Sequence, residues 1–467
     1  MARTLLAALV IAYLFTPATH AHAEDTAKPN IVLIFIDDMG WKDAGFQGSD
    51  FYQTPNIDRF AKQGMIFTNA YAAAGNCAPS RACMISGQYT PRHHVYAVGS
   101  TNRGPKQKMR LTPVPNVQDL AAEQVTIAEA LKMAGYRTGM FGKWHLGTES
   151  PFLPSDQGFE VTDMIQPRQE EDRSGDDDPK WIYRITNGAC SFMEDSVKNH
   201  KDQPFFLYVP HHATHMPIQA SAEMTKKMAD QPAGEYQKNK RYAAMNAQMD
   251  DGVGILLEKI DDLGIEDNTL VLFMSDNGAL PQSPPKPLRG FKGMYYEGGI
   301  RVPMIARWPK VIKPDSVCNT PVINLDFYPT FLELAGAKVP FNKTLDGVSL
   351  MPLFEGQTQV AERAIFWFFP GYLDNSNPGA KNPDFRTPPV TTMRKGPWKL
   401  HLFHEEWILD DQQNTSSPWN SIELYNLEDD ISESKNLAQD NPEKALELLE
   451  ELLAWHKSVN AKLPTEK

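Results

Sequence analysis

Two acidic pairs sit where chemistry could be done. Asp37-Asp38 follow the apolar run Asn30 to Ile36, and Asp276-Asn277 follow Thr269 to Met274 and one serine. Adjacent carboxylates repel one another and resist leaving water unless a cation lies between them. Three carboxylates and one amide oxygen make a hard-oxygen donor set, which suits Ca²⁺ or Mg²⁺ rather than Zn²⁺. The same residue types also serve as helix N-caps and turn acids after strands, so either pair alone carries little weight. A third feature is Cys77-Ala78-Pro79-Ser80-Arg81, continued through Ser86-Gly87. Pro79 near a start and Gly87 at an end frame a short helix. Cys77 then lies at the helix N-terminus, where the dipole and free N–H groups favour negative charge. Arg81 is four residues on and shares its face. A nucleophile, an anion-stabilising helix end and a guanidinium would converge on one spot.

These residues need strands to carry them. Asn30 to Ile36, Pro204 to Val209 and Thr269 to Met274 are continuous apolar runs of the kind buried on both faces of a parallel sheet, and Arg137 to Phe141 is a shorter one. Helical patterns lie between them at Thr126 to Ala134 and Arg241 to Leu263. The alternation predicts an α/β fold with a large, mixed, mostly parallel sheet flanked by helices. In such sheets ligands bind beyond the carboxyl ends of the strands, where both acidic pairs fall. From about Glu362 the pattern changes. Arg363 to Phe369, Met393 to Phe403 and Ile422 to Leu427 read as strands with polar alternation. Asn441-Pro442 then open a helix with Leu446, Leu449, Leu453 and neighbouring apolar residues on its apolar face. The expected division is a catalytic domain over 24–365 and a C-terminal α+β subdomain over 366–467, a small antiparallel sheet plus helix. Residues 166–180 and 370–389 read as solvated surface loops, with a substrate lid as the alternative for each.

The chain has 467 residues, 41% of them hydrophobic, so a sizeable core is available. A formal net charge of -12 argues against a general nucleic-acid surface, which needs clustered positive charge. It does not exclude one anion held by local cations and a metal. Arg3, the apolar run Leu5 to Phe15 and Ala21-His22-Ala23 have the form of a signal peptide over 1–23, cut after Ala23. Eleven apolar residues are too few to span a bilayer, which takes about 20. The mature chain is therefore expected to be exported, periplasmic or secreted, with no membrane span. Four cysteines are no disulfide scaffold, and whether Cys190 and Cys318 pair is left open.

The cysteine segment resembles the signature of the formylglycine-dependent sulfatases of the alkaline phosphatase superfamily, Cys-x-Pro-Ser-Arg. The tail Ile85-Ser86-Gly87 departs mildly from that family's Leu-Thr-Gly. A second block, Gly135 to His145 (GYRTGMFGKWH), and a third, Leu288 to Gly293 with Tyr296 to Pro303, are similar to the family's other conserved segments. The resemblance runs from about Pro29 to the C-terminus. It implies one divalent cation, Ca²⁺ ahead of Mg²⁺, on Asp37, Asp38, Asp276 and Asn277. It implies Cys77 as formylglycine, made by the formylglycine-generating enzyme, touching the metal and acting as hydrated nucleophile. Arg81 would orient the hydrate, Lys143 and Lys292 would bind sulfate oxygens, His145 would sit beside the nucleophile and His215 would face the leaving oxygen. The second hydroxyl of the hydrate would let the sulfated intermediate collapse to the aldehyde, an exit that serine lacks.

His211 and His212 read as packing or supporting groups, Asp250 and Asp251 as structural, and Cys83 as a buried helix residue. His93, His94, Arg103 and Trp419 are candidates for the mouth of the site by type and rough position only. The expected activity is hydrolysis of sulfate monoesters, with a sulfated carbohydrate as substrate. The rivals are a phosphate or phosphonate ester hydrolase on the same fold and a non-catalytic binder of sulfated glycans.

Overall fold

The computed structural model describes residues 28–165, 176–357 and 361–467. The signal-peptide segment and residues 166–175 of the acidic stretch lie outside the described residues. Eight strands form the main sheet: β1 (Asn30–Ile36), β2 (Met65–Phe67), β3 (Arg137–Gly142), β4 (Val161–Met164), β5 (Phe205–His211), β6 (Thr269–Ser275), β7 (Met304–Arg307) and β8 (Ser316–Cys318). Their spatial order is β8-β2-β7-β6-β1-β5-β3-β4. The five from β6 to β4 in that order are parallel, whereas β7 runs antiparallel to β6 and β2.

Every residue of β1, β5 and β6 is buried, as their unbroken apolar runs require. Along β1 alternate side chains enter two separate cores. Ile31, Leu33 and Phe35 face one that includes helix α2 (Cys77–Ser86) and helix α3 (Ile127–Met133). Val32, Ile34 and Ile36 face the other, under α1 (Pro55–Gln63), α4 (Ile182–Asn199) and α5 (Lys240–Asp262). The start of α3 is fixed by a capping box: Thr126 accepts from the Glu129 N–H while Glu129 accepts from that of Thr126. Asp250 on α5 accepts from the backbone N–H groups of Asn56 and Ile57, so it holds the free donors at the start of α1.

A second sheet is antiparallel: β9 (Ala364–Phe369), β10 (Val390–Lys395), β11 (Trp398–Phe403) and β12 (Ile422–Asn426). The stretch Met393 to Phe403, expected as one strand, is the turn region of a hairpin. Gly396 adopts φ 55 between β10 and β11, and Pro397 follows it. Helix α6 (Pro442–Ser458) covers this sheet with Ala445, Leu448, Leu449, Leu452 and Trp455 buried. Leu446 and Leu453 are half-buried, with Leu453 packing at the margin of this core. All four cysteines are free, and Cys190 and Cys318 belong to different cores. No described helix is long and apolar enough to cross a membrane.

Candidate active site

Strands β1 and β6 run parallel with Ile36 opposite Ser275, so Asp37 and Asp38 leave the sheet beside Asp276 and Asn277. Asp38 takes φ 67, a left-handed conformation that a non-glycine residue adopts at a cost. Cys77 is the first residue of α2 and is buried. Its sulfur and carboxylate oxygens of Asp37 and Asp276 lie within 4.8 Å of one another. Arg81 grips Asp276 through Nε at 2.9 Å and a terminal nitrogen at 2.8 Å, and donates to the Lys143 carbonyl at 2.7 Å.

The next two parallel strands supply the remaining groups. Lys143, just past β3, pairs with Asp37. It is placed there because Gly142 lets the chain pass against β5: a Cβ at 142 would lie 2.0 Å from the Pro210 carbonyl oxygen. His145 also takes a left-handed φ, 67. Beyond β5, His212 Nδ1 lies 3.4 Å from Asp37 and His215 Nε2 lies 3.7 Å from Asp38. The Met216 carbonyl accepts a hydrogen bond from His215 Nδ1 at 2.6 Å, which leaves Nε2 as the atom that takes or gives a proton. Lys292 arrives from the loop after β6 and pairs with Asp38 at 2.6 Å. The structure thus brings Asp37, Asp38, Cys77, Arg81, Lys143, His145, His215, Asp276, Asn277 and Lys292 to one edge of the sheet.

Burial works against charge on Asp37, but Lys143, His215, a bond from His212 and Arg81 outweigh it and hold its carboxyl well below the usual range. Asp276 goes the other way: burial and the charge of Asp37 push it up against the pull of Arg81. Two buried carboxylates this close do not both ionise comfortably. Burial disfavours charge on Lys292, yet Asp38 more than offsets it, so its ammonium is held more firmly than in water. Burial, then Lys143 and Arg81, lower His145 to about 3. Burial, then Lys292, lower His215 to about 4.

The donor set fits a hard divalent cation. Asp37 Oδ1 and Asn277 Oδ1 are buried oxygens with no hydrogen-bond partner. Orphaned acceptors beside ionised carboxylates are what a cation of this class satisfies.

Residues 29–337 match the sulfatase family, and 291–458 match the C-terminal region of N-sulphoglucosamine sulphohydrolase. This chain belongs to the sulfatase family. It is 32% identical to a sulfatase of Formosa agariphila over 92% of this chain and 88% of that one. It is also 32% identical to human arylsulfatase A, over 88% and 83% respectively. Among solved structures it resembles Ps i-CgsB, at 30% identity and TM-score 0.72, with 92% of each chain covered. The sulfatase is accordingly a sulfuric ester hydrolase, on a mostly parallel α/β sheet with a small antiparallel sheet toward its C-terminus.

Three supporting residues of this sulfatase escape a reading of the sequence. Lys180 is buried and donates to the carbonyls of His215 at 2.9 Å and Pro217 at 3.1 Å, so it positions the His215 loop. Burial lowers it to about 7. It stands at the end of an acidic stretch, where nothing in sequence marks it. Asp43 accepts from Gly40 N, Tyr242 and Gln237 and anchors the turn that follows Asp37-Asp38. Arg386 comes from the 370–389 loop and packs beside Gly293. Two candidates for the mouth are placed elsewhere. His93 is buried with Nε2 3.4 Å from Cys83 Sγ, and Trp419 packs on the C-terminal core. Both fill apolar space, the commoner use of an isolated ring.

Proposed function

We propose that this sulfatase is exported and removes a sulfate ester from a carbohydrate, with Cys77 converted to formylglycine and Ca²⁺ as the bound ion. The observation that carries this reading is the position of Cys77: first residue of a buried helix, with its sulfur beside Asp37 and Asp276 and with Arg81 on the same helix. The carbohydrate assignment is supported by similarity to Ps i-CgsB, which was also solved in complex with k-i-k-neocarrahexaose. Export rests on the sequence of residues 1–23, and the expected 24–365 and 366–467 division on the change of pattern near Glu362.

Asp37, Asp38, Asp276 and Asn277 would hold the cation, with Cys77 at its edge. Bound there, a divalent ion supplies positive charge to oxygens and a hydrated formylglycine supplies the attacking hydroxyl. The chain's own residues do the rest. Lys143 and Lys292 bind the sulfate oxygens and neutralise charge that grows as the leaving oxygen departs. Arg81, locked on Asp276, orients the side chain at 77. His215, its Nδ1 fixed by Met216, presents Nε2 to the leaving oxygen. A sulfate anion offsets the lysines that depress His215 and raises its proton affinity when substrate binds.

The test is release of free sulfate from a panel of sulfated sugars, oligosaccharides and one aryl sulfate. The enzyme is co-expressed with the formylglycine-generating enzyme, and conversion of Cys77 is checked by mass spectrometry. Cys77→Ala should lose activity by at least about 10⁴-fold, the scale on which loss of a nucleophile acts. Normal turnover by that variant would sink the mechanism. No release from any carbohydrate, with full conversion, would sink the substrate class.

A further inference from the structure

Two arginines stand beside the site with almost nothing to bind. The segments around residues 101–103 and 371–387 are laced together. Tyr372 donates its N–H to the Thr101 carbonyl at 2.7 Å, Arg103 donates to the Tyr372 carbonyl at 3.2 Å, and Leu373 bridges Thr387. The rings of Tyr372 and Phe385 pack tilted against each other with centroids 4.7 Å apart. This lacing fixes where Arg103 and Arg386 emerge.

Arg386 is tied to the catalytic corner. A Cβ at residue 293 would lie 2.7 Å from its Cδ, so Gly293 is the residue that gives it room. Gly293 follows Lys292, donates to the Gly75 carbonyl at 2.7 Å, two residues before Cys77, and accepts from Thr387 Oγ1 at 2.5 Å. The Arg386 guanidinium feels the charges of Arg103, Asp374 and Asp38.

Neither guanidinium is satisfied. Among the described residues, Arg386 makes one hydrogen bond, from Nε to the Asn375 carbonyl at 3.4 Å. Arg103 meets Asp374 at 3.4 Å, with its buried Nε lacking a well-formed hydrogen bond. That half-exposed carboxylate pairs with Arg103, and no described carboxylate lies within ion-pair distance of Arg386. Arg363, similarly half-buried, shows the usual outcome: both of its terminal nitrogens bond the two oxygens of Asp326. Burial and the repulsion of Arg103 depress Arg386 below an arginine's ordinary value, a penalty that an anion between the two would remove.

Resting on the carbohydrate reading above, we propose that Arg103 and Arg386 form a second anion subsite. It holds a further negatively charged group of the substrate, a sulfate or a carboxylate, next to the sulfate that is cleaved. The substrate class narrows accordingly to saccharides carrying at least two anionic groups in neighbouring positions.

Three saccharides sharing one scissile sulfate test this. One has no other charge, one carries a second sulfate and one carries an adjacent uronate carboxylate. The converted wild-type enzyme should prefer one of the doubly charged substrates by about tenfold or more in kcat/KM, mainly through KM. Which of the two it prefers names the group. Arg386→Ala and Arg103→Ala should each erode that preference about fivefold or more, and Arg386→Lys should restore part of it. Sulfate release from the singly charged saccharide without any wild-type preference overturns the subsite. So does an equal loss on all substrates in folded variants. Release from the aryl sulfate alone shows that the carbohydrate reading has failed, and the subsite falls with it.

Discussion

Two of the buried charge clusters among the described residues differ in what they lack. At the carboxyl edge of the main sheet, Asp37, Asp38, Asp276, Arg81, Lys143 and Lys292 crowd together while oxygens of Asp37 and Asn277 go without partners. At the seam with the antiparallel sheet, Lys399 lies 2.9 Å from both Glu297 and Glu433. Glu297 also takes bonds from Tyr71 at 2.8 Å and Arg301 at 3.2 Å, and Glu433 accepts from the Glu297 N–H at 2.6 Å. No polar side-chain atom of Glu297, Lys399 or Glu433 is left unpaired. The seam is complete in itself and the edge is not. Charge alone therefore does not mark a working site; unsatisfied charge does.

Breaking the seam should cost most. Lys399→Met removes the cation that the two glutamates share, so Glu433 loses its ammonium partner while Glu297 keeps Arg301. It should destabilise the fold by about 3–5 kcal/mol in denaturant unfolding at neutral pH, the usual cost of stranding a buried charge. A loss under about 1 kcal/mol would mean that the seam relaxes as readily as a surface. Chelation should act on the edge alone. Removing the divalent ion should abolish sulfate release and lower stability by about 3 kcal/mol relative to ion at a hundred times its Kd, and Ca²⁺ should restore both. Chelation without effect on either would count against the cradle.

The seam also has a pH signature. Burial pushes Glu433 up to about 7, with Lys399 opposing and Glu297 adding to the rise. An unfolded glutamate ionises near 4.3. As pH rises from about 4.5 to 7 the unfolded chain loses its proton first, so the contribution of Glu433 to stability is present at the acid end and lost toward neutrality. Glu433→Gln should remove that decline, gaining about 1–3 kcal/mol on wild type across the window. A constant difference between the two curves would place the proton elsewhere. The smallest effect belongs to an exposed pair. Arg110 bonds Asp410 at 2.5 and 2.8 Å on the surface, and Arg110→Ala should cost under about 1 kcal/mol. A larger loss there would mean that pairing, not burial, sets the cost at the seam.

Much of the fold and of the edge is legible in the order of the residues alone. The strands β1, β5 and β6 announce themselves because they are buried on both sides and need no alternation. The acidic pairs are legible because they end such strands, and Cys77 because its helix is short and framed by Pro79 and Gly87. What stays hidden has physical causes. The hairpin at Gly396 sits inside an apolar alternation that reads as one strand. The core face of α6 is set by packing on β10 and β11, which buries Leu449 fully but Leu446 and Leu453 only in part. Lys180, Arg386 and Glu433 lie far along the chain from the residues they serve, and periodicity carries no information about which distant segments will meet.

The seam has a further consequence, for the order of events during synthesis. Glu433 accepts the N–H that begins the short helix Glu297–Ile300, just after the loop that delivers Lys292, and Arg386 packs against that loop from the same late stretch of chain. The ribosome makes Cys77 more than three hundred residues before Glu433, an interval on the order of half a minute at ordinary elongation rates. Until the last segments emerge, the Lys292 corner has its contacts to Asp38 and Gly75 but lacks the bond to Glu433 and the packing of Arg386. The cysteine that the finished fold buries is thus made long before the last of the groups that close the corner around it.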